Sequence, residues 1–115
     1  MTIQMKRAYE KPAAGDGFRV LIDRIWPRGV TRENLKADLW LKDVAPSTEL
    51  RKWFGHDPKK WDEFRKRYFK ELDSHSEEIR LLRGKMQRGP LTLVFGSKEE
   101  RFNNAEAIKE YLERR

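Results

Sequence analysis

A carboxylate and two guanidinium groups lie close together where an apolar stretch of the chain ends. Residues 18–22 (FRVLI) are rich in β-branched and large apolar side chains and predict a strand, and Asp23, Arg24 and Arg28 follow it. The strand cannot continue through Pro27, which lacks a backbone N–H, so these side chains should lie at its carboxyl end. Ligands of open α/β sheets bind at this edge, and guanidinium groups bind carboxylate or phosphate through paired hydrogen bonds. The sequence therefore predicts a site for a small anionic or phosphorylated ligand in this loop.

A second apolar run ends in polar residues in the same way. Residues 91–95 (LTLVF) predict a strand covered on both faces, and Gly96, Ser97 and Lys98 follow it before a helix that begins at Asn103. Parallel strands place their carboxyl ends on one edge of a sheet. The two strand-end loops should therefore surround a single crevice, with the first turn of the Asn103 helix beside it.

The candidate residues have distinct roles in this hypothesis. Arg24 and Arg28 would bind the anion, while Asp23 would orient an arginine or act as a base. Asp23 and Lys42 are the catalytic candidates. These residues do not specify a reaction, so an enzyme and a binding protein are both compatible with them. The ligand-binding candidates are Arg24, Trp26, Arg28, Ser47, Arg65, Ser97 and Asn103.

Most of these residues also have a structural explanation. Asp23 could pair with a neighbouring arginine or with backbone amides, and Trp26 could belong to the core. Ser47 and Asn103 are both good N-cap residues, because their side-chain oxygens can accept a hydrogen bond from a free N–H of the first helical turn. Arg65 borders the apolar face of its helix, from which it could reach a buried edge.

Several classes of chemistry have no support in the sequence. The chain contains no cysteine, so it has no thiol nucleophile and no thiolate metal site. His56 and His75 are too far apart in sequence to form a metal-binding pattern, although His56 could serve as an acid or base. Neither a Gly-rich phosphate-binding loop nor a dinucleotide-binding fingerprint occurs. We therefore expect neither a metal nor a cofactor.

Length and composition indicate one domain spanning residues 1–115. Charged residues make up 39% of the chain, with both signs interspersed, as on a solvated surface. The chain starts without the apolar stretch of a signal peptide, and it contains no apolar run approaching the roughly 20 residues that span a bilayer. These features favour a cytoplasmic protein without membrane contact, and they do not fix an oligomeric state.

The positive charge supports an alternative function. A formal net charge of +7 would attract nucleic acid, and a basic face on one helix could bind its phosphates. The chain would then be a nucleic-acid-binding module without catalysis. The cations of that face are Lys59, Lys60, Lys66, Arg67 and Lys70.

Strands alternate with helices along the chain. Strands are predicted over residues 2–9 and 18–25, as hairpin partners or sheet neighbours, and over residues 91–95. Residues 39–41 are either a short strand or an apolar anchor. Short helices are predicted over residues 32–36 after Thr31 and from Ser47 to Gly55. A longer helix is predicted from Asp57 through the apolar stripe Trp61, Phe64, Tyr68 and Leu72. Two more are predicted, one from the capping-box pattern Ser74 and Glu77 to Gly89 and one from Asn103 onward. One continuous bent helix is the alternative to the break at Ser74. The pattern indicates a small single-domain α/β fold, with a mostly parallel sheet of about four strands and helices packed on it.

Five segments of the chain carry a resemblance to a known family. They are residues 19–29 (RVLIDRIWPRG), 40–47 (WLKDVAPS), 49–54 (ELRKWF), 64–68 (FRKRY) with Glu71 and Leu72, and 92–95 (TLVF) followed by 103–105 (NNA). With these segments the chain resembles the YeaO-like branch of the domain-of-unknown-function 488 family over nearly its whole length. The resemblance implies a compact α/β domain whose motif residues form a shared site, without assigning a reaction. Where that family commonly has a histidine before the asparagine that matches Asn103, this chain has Phe102, so it lacks that imidazole.

Overall fold

The computed structural model describes residues 2–99 and 101–114 and confirms the α/β architecture. Within these ranges, four parallel strands form one sheet in the order β1-β4-β2-β3. The strands are β1 (Ile3–Arg7), β2 (Phe18–Leu21), β3 (Leu39–Trp40) and β4 (Leu91–Phe95). The helices are α1 (Arg32–Leu35), α2 (Thr48–Phe54), α3 (Trp61–Asp73), α4 (Ser76–Arg88) and α5 (Asn104–Glu113).

Strand β4 occupies an interior position of the sheet, and all five of its residues are buried. Ile3 of β1 and Phe18 of β2 both pair with Leu91, on opposite sides of β4. The prediction that β1 and β2 are hairpin partners or sheet neighbours is therefore wrong. Pattern alone does not reveal this order, because the partner of both strands lies at the far end of the chain.

Helices cover both faces of the sheet, and alternate residues of each strand face opposite cores. Val20 and Leu93 belong to the larger core, which α2 to α5 complete. Leu21 and Val94 belong to a smaller core that Leu35 of α1 closes. The strand ends therefore lie between two helical layers, and this arrangement determines which side chains can reach the carboxyl edge of the sheet.

Most of the predicted helix starts are confirmed. The side chains of Thr31, Ser47 and Asn103 accept hydrogen bonds from backbone N–H groups in the first turns of α1, α2 and α5. Asp57 caps a short 3-10 turn at Pro58–Lys60, after which α3 begins at Trp61.

The capping box predicted at Ser74 is wrong, and so is the alternative of one continuous helix. Ser74 ends α3, where its N–H donates to the carbonyls of Glu71 and Leu72. Helix α4 begins at Ser76, and the preceding residue, His75, makes no side-chain cap.

The apolar stripe of α3 packs into the larger core as predicted. Phe64, Tyr68 and Leu72 are fully buried, while Trp61 is half-buried at the end of the stripe. Among the described residues, no helix combines the length and apolar character needed to span a membrane.

Candidate functional site

The loops that follow β2 and β4 meet at one edge of the sheet. The backbone N–H of Gly96 donates a hydrogen bond of 2.7 Å to Oδ2 of Asp23. A Cβ atom at Gly96 would lie 3.1 Å from that oxygen, so glycine permits this close approach. The shared edge expected from two parallel strands therefore exists, and a side chain from one loop is fastened to the backbone of the other.

A depression with a volume of about 240 Å³ opens beside this contact. Of the predicted site residues, Asp23, Arg24, Ser97 and Asn103 line it together. Lys98, also expected at the crevice, lies with Ser97 in a shallower neighbouring depression.

Asp23 is the acidic group of the depression, and its carboxylate is half-buried. Burial raises the pKa of Asp23 above its ordinary value, and the Gly96 N–H and the positive charge of Arg51 offset only part of this rise. Within the described part of the chain, Oδ2 accepts the bond from Gly96 and Oδ1 accepts none. One carboxylate oxygen is therefore left for an additional donor.

Two arginines line the depression without forming an ion pair. Arg24 donates from Nη2 to the carbonyl oxygen of Ala45 at 3.4 Å, and Arg51 donates from Nη2 to Thr48 Oγ1 at 3.2 Å. Neither guanidinium forms a salt bridge with a carboxylate of residues 2–99 or 101–114. The Nε of Arg51 is buried and has no hydrogen-bond partner among those residues. Most of the donor capacity of both arginines is therefore unused within the protein.

Arg19 shows how a structural arginine of this protein differs. Its guanidinium is buried, forms a salt bridge of 2.7 Å with Asp16, and donates two hydrogen bonds, of 3.1 and 2.7 Å, to the carbonyl oxygen of Leu35. Arg24 and Arg51 lack such an arrangement, and both lie at the depression.

Both polar side-chain atoms of Asn103 have a partner in the protein. Its Oδ1 accepts from the N–H of Glu106 at 2.8 Å, and its Nδ2 donates to the carbonyl oxygen of Glu99 at 2.8 Å. The side chain thus fixes the start of α5 and the loop before it, which agrees with the cap interpretation. Asn104, the next residue, also lines the depression.

Aromatic rings form the apolar wall of the depression. Phe54 and Phe64 stack with their centroids 4.3 Å apart, and Phe95 and Phe102 also line the cavity. Phe102 occupies the position where the resembled family commonly has histidine, and its half-buried ring packs on Trp61 at 5.4 Å. Phe102 therefore gives the wall an apolar surface at this position.

The loop 23–29 divides between the two faces of the sheet, which removes two predicted residues from the depression. Trp26 packs in the smaller core, where its Nε1 donates to the carbonyl oxygen of Val30 at 2.6 Å. Arg28 is exposed, and its carbonyl oxygen accepts a bond of 3.1 Å from the Tyr9 hydroxyl. The chain leaves the depression after Ile25, so Arg28 does not line it with Arg24.

Lys42, Ser47 and Arg65 also lie outside the depression. The Lys42 ammonium is 5.0 Å from the centre of the Trp40 ring. Ser47 caps α2, and its hydroxyl donates to Oε2 of Glu71 at 2.6 Å.

Arg65 connects two helices. It pairs with Asp62 of α3 at 3.1 Å and with Glu110 of α5, although its Nε is buried without a partner among the described residues. The convergence expected for Lys42, Ser47 and Arg65 is not found, because local contacts hold each of them elsewhere.

The sequence prediction missed Arg51 and the four phenylalanine rings that line the cavity, here called the phenyl wall: Phe54, Phe64, Phe95 and Phe102. A signal for Arg51 exists: it lies three residues before Phe54 and next to Leu50, both buried, so it borders the inward face of α2. His56 also lines the cavity, with a left-handed backbone φ of 57° directly after α2. No group of three or more acidic, histidine or cysteine side chains in the described ranges could hold a metal ion.

Comparison with known proteins identifies the family. The profile of the family DUF488-N3i, described as the inactive DUF488-N3 subclade, matches residues 2–115. The uncharacterised protein YeaO of Escherichia coli is 39% identical over 112 residues, which cover 97% of each chain. An uncharacterised protein of Mycobacterium tuberculosis is 44% identical over 92 residues, which cover 78% of each chain. No solved structure matches the chain. The chain therefore belongs to the DUF488 family, as a YeaO-like member of its inactive N3 subclade.

Proposed function

We propose that the depression at the ends of β2 and β4 binds a small anionic or phosphorylated ligand. The observation that carries this proposal is the pair Arg24 and Arg51, which line one cavity without a carboxylate partner in the described part of the chain. Guanidinium groups make their strongest hydrogen bonds with carboxylate and phosphate oxygens. An oxyanion between the two arginines would use donors that the protein leaves idle.

The partly enclosed position of Arg51 strengthens the proposal, while Arg24 is exposed at the edge of the depression. Phe54 and Phe64 are almost fully buried beside the charged residues, and their apolar rings lower the local dielectric constant around the ligand. At a lower dielectric constant, the attraction between a guanidinium and an anion is stronger than in water. An ion pair between exposed side chains contributes only about 0–1 kcal/mol. The depression is therefore a better anion site than the exposed cations elsewhere on the surface.

We propose binding without turnover. The subclade is described as inactive, and of the two catalytic candidates only Asp23 lines the cavity. Phe102 cannot exchange a proton, Asp23 is fastened to Gly96 through one oxygen, and His56 is the other acid–base candidate at the cavity among the described residues. A ligand sensor or carrier fits these features better than an enzyme.

Calorimetric titration of the whole protein with inorganic phosphate and pyrophosphate at low salt tests the proposal. Wild-type protein should bind at least one of them, and Arg51→Gln and Arg24→Gln should each weaken binding about tenfold or more, since each removes a charge-assisted bond. Arg88→Gln is the matched control, because Arg88 is exposed at the end of α4 and precedes β4, on the opposite edge of the sheet. Equal affinities in all four proteins, or no binding by wild type, would contradict the proposal.

A further inference from the structure

We infer that the ligand is a small aromatic anion whose ring carries an N–H donor. Its anionic group would bind Arg24 and Arg51, its ring would lie against the phenyl wall, and its N–H would donate to Oδ1 of Asp23. This inference rests on the proposed function and names the ligand class of the same site.

The phenyl wall requires more than a bare oxyanion. Phe54, Phe64, Phe95 and Phe102 all line the cavity, together with the aliphatic side chain of Ile25, which is 70% exposed at its edge. Phe54, Phe64 and Phe95 are buried behind the surface. The accessible apolar area therefore comes from the half-buried Phe102 and from Ile25, and an inorganic phosphate would leave that area in contact with water. A flat ring would cover it, and aromatic rings favour offset-stacked or edge-to-face contacts with one another.

The volume of the cavity limits the size of the ligand. Pockets for drug-sized molecules have volumes of roughly 300–1,000 Å³. The depression has about 240 Å³, so a single ring with one anionic substituent fits its scale.

Asp23 determines the remaining feature of the ligand. A carboxylate beside an anion site would repel the ligand unless the ligand also brings a hydrogen-bond donor to it. Because Gly96 occupies Oδ2 while Oδ1 accepts no bond from the described residues, the carboxylate has a place for one donor. Burial raises the pKa of Asp23, and the Gly96 N–H and the charge of Arg51 offset only part of this rise, so an additional donor would stabilise the carboxylate. A ring N–H or amino group would supply the missing bond.

Three probes separate these contributions: inorganic phosphate, phenyl phosphate, and aminophenyl phosphate with the amino group at position 3 or 4. In wild-type protein, phenyl phosphate should bind roughly tenfold or more tightly than phosphate, because the ring leaves water. One aminophenyl isomer should gain roughly another tenfold, as expected for a hydrogen bond to a charged group.

Two variants assign each gain to its residue. Asp23→Asn should abolish the preference for the amino group while phenyl phosphate still binds, because asparagine can still accept the bond from Gly96 through its side-chain oxygen. Phe102→Ala should reduce the advantage of phenyl phosphate over phosphate and leave phosphate affinity unchanged. Thermal melts of both variants check that they fold. If one variant does not fold, the comparison of the three probes on wild-type protein still tests the inference.

The possible failures are distinguishable. If the phosphates bind, Arg51→Gln weakens them, and all three bind equally, the aromatic ligand class is wrong while the anion site stands. If the ring adds affinity but the amino group adds none in either isomer, the role of Asp23 is wrong, and with it the inference as stated. If no probe binds, the anion site itself fails.

Discussion

Arg51 carries a cost to the fold that a bound ligand would explain. Its Nε is buried without a partner among the described residues, and an unsatisfied buried donor costs about 1–3 kcal/mol. A residue kept for packing alone would not need a guanidinium there. At the scale of single residues, Arg51 is therefore where stability and binding should conflict.

Replacing Arg51 with methionine should raise stability and remove anion binding. The change keeps an unbranched apolar stem and removes the unsatisfied donor, so the free energy of unfolding should rise by about 1 kcal/mol. A thermal melt would show an increase of roughly 4 °C. Arg19→Met is the contrast, since it breaks the buried pair with Asp16 and should destabilise by about 3–5 kcal/mol. A lower melting temperature for Arg51→Met would mean that Arg51 serves the fold, and the binding proposal would lose its main support.

Asp16 and Asp23 should affect acid stability in opposite directions. Burial raises the pKa of Asp16, but hydrogen bonds from Lys6, the Ala13 N–H and Arg19 outweigh it and leave the pKa below the ordinary 3.8. The unfolded chain then binds more protons than the folded one, so the contribution of Asp16 is present above pH 3.8 and is lost as the pH falls through the lowered value. The pKa of Asp23 is raised, so the folded state binds more protons and stability increases as the pH falls toward the ordinary value.

Melting temperatures measured between about pH 2 and pH 6 test both signs, because a free aspartate titrates near 3.9. Asp16→Asn should lower stability at neutral pH and flatten its loss in acid. Asp23→Asn should make the loss steeper, since it removes the opposing contribution. Parallel curves for wild type and both variants would contradict the assigned environments.

Part of the candidate site could be predicted from the sequence because strand ends are visible in it. Asp23 and Ser97 were found from the residues that stop two apolar runs, and both line the cavity. Arg28 and Trp26 were misplaced because the point at which a loop crosses to the other face of a sheet depends on packing. For Arg51 the local pattern of α2 indicates a position at the border of the inward face, but which cavity that face meets depends on how α2 docks.

At the scale of the elements, the start of β2 lies against the end of the α4–β4 connection. Gly17 has a φ of 64°, and a Cβ there would lie 2.2 Å from the carbonyl oxygen of Pro90. The next residue, Phe18, donates its N–H to that same carbonyl at 3.0 Å. The close approach sets the register between β2 and β4, and so the height at which their ends meet.

Gly17→Ala should destabilise the protein by more than about 2 kcal/mol, because it adds a clash with backbone to an unfavourable φ. Gly15→Ala is the matched control: no atom lies within 4 Å of a Cβ at Gly15, and its φ is not in the left-handed region. The control should change stability by less than about 0.5 kcal/mol. Denaturant unfolding measures both, and equal effects would show that the approach of β2 to Pro90 is looser than described.

The elements were easier to predict than their arrangement. Caps at Thr31, Ser47 and Asn103 were found because a cap is a local contact between a side chain and the first turn. The order of strands was not found, because both partners of β4 precede it by long stretches of chain. The Ser74 box failed because a serine that ends one helix and a serine that starts another differ only in tertiary context.

At the scale of the whole molecule, the net positive charge supports the alternative function, nucleic-acid binding. Two cations of the proposed nucleic-acid face are engaged: Lys60 donates to the carbonyl oxygen of Trp53 at 2.9 Å, and Arg67 binds Glu63 at 3.0 Å. The Arg67 guanidinium also lies 4.2 Å from the centre of the Trp53 ring. These contacts stabilise the surface between α2 and α3 and leave fewer free cations for phosphates.

We expect binding to arbitrary duplex or single-stranded DNA to be weak and to disappear between about 50 and 200 mM salt, as counterion release requires for nonspecific contacts. The combined change of Lys66, Arg67 and Lys70 to glutamine should weaken this residual binding, while Arg51→Gln, which removes one charge at the depression, should alter it only slightly. Tight DNA binding that survives 200 mM salt and is lost in the triple variant would favour the nucleic-acid function over the small ligand.

The position of β4 in the sheet has a consequence for synthesis on the ribosome. β1 and β2 both hydrogen-bond to β4, which is translated long after them. A nascent chain that ends before β4 contains α1 to α4 but cannot form the four-stranded sheet. The edges of β1 and β2 that pair with β4 therefore stay open to other chains. Gly96, whose N–H binds Asp23, directly follows β4 in the chain. The depression and the sheet are therefore completed together, late in translation.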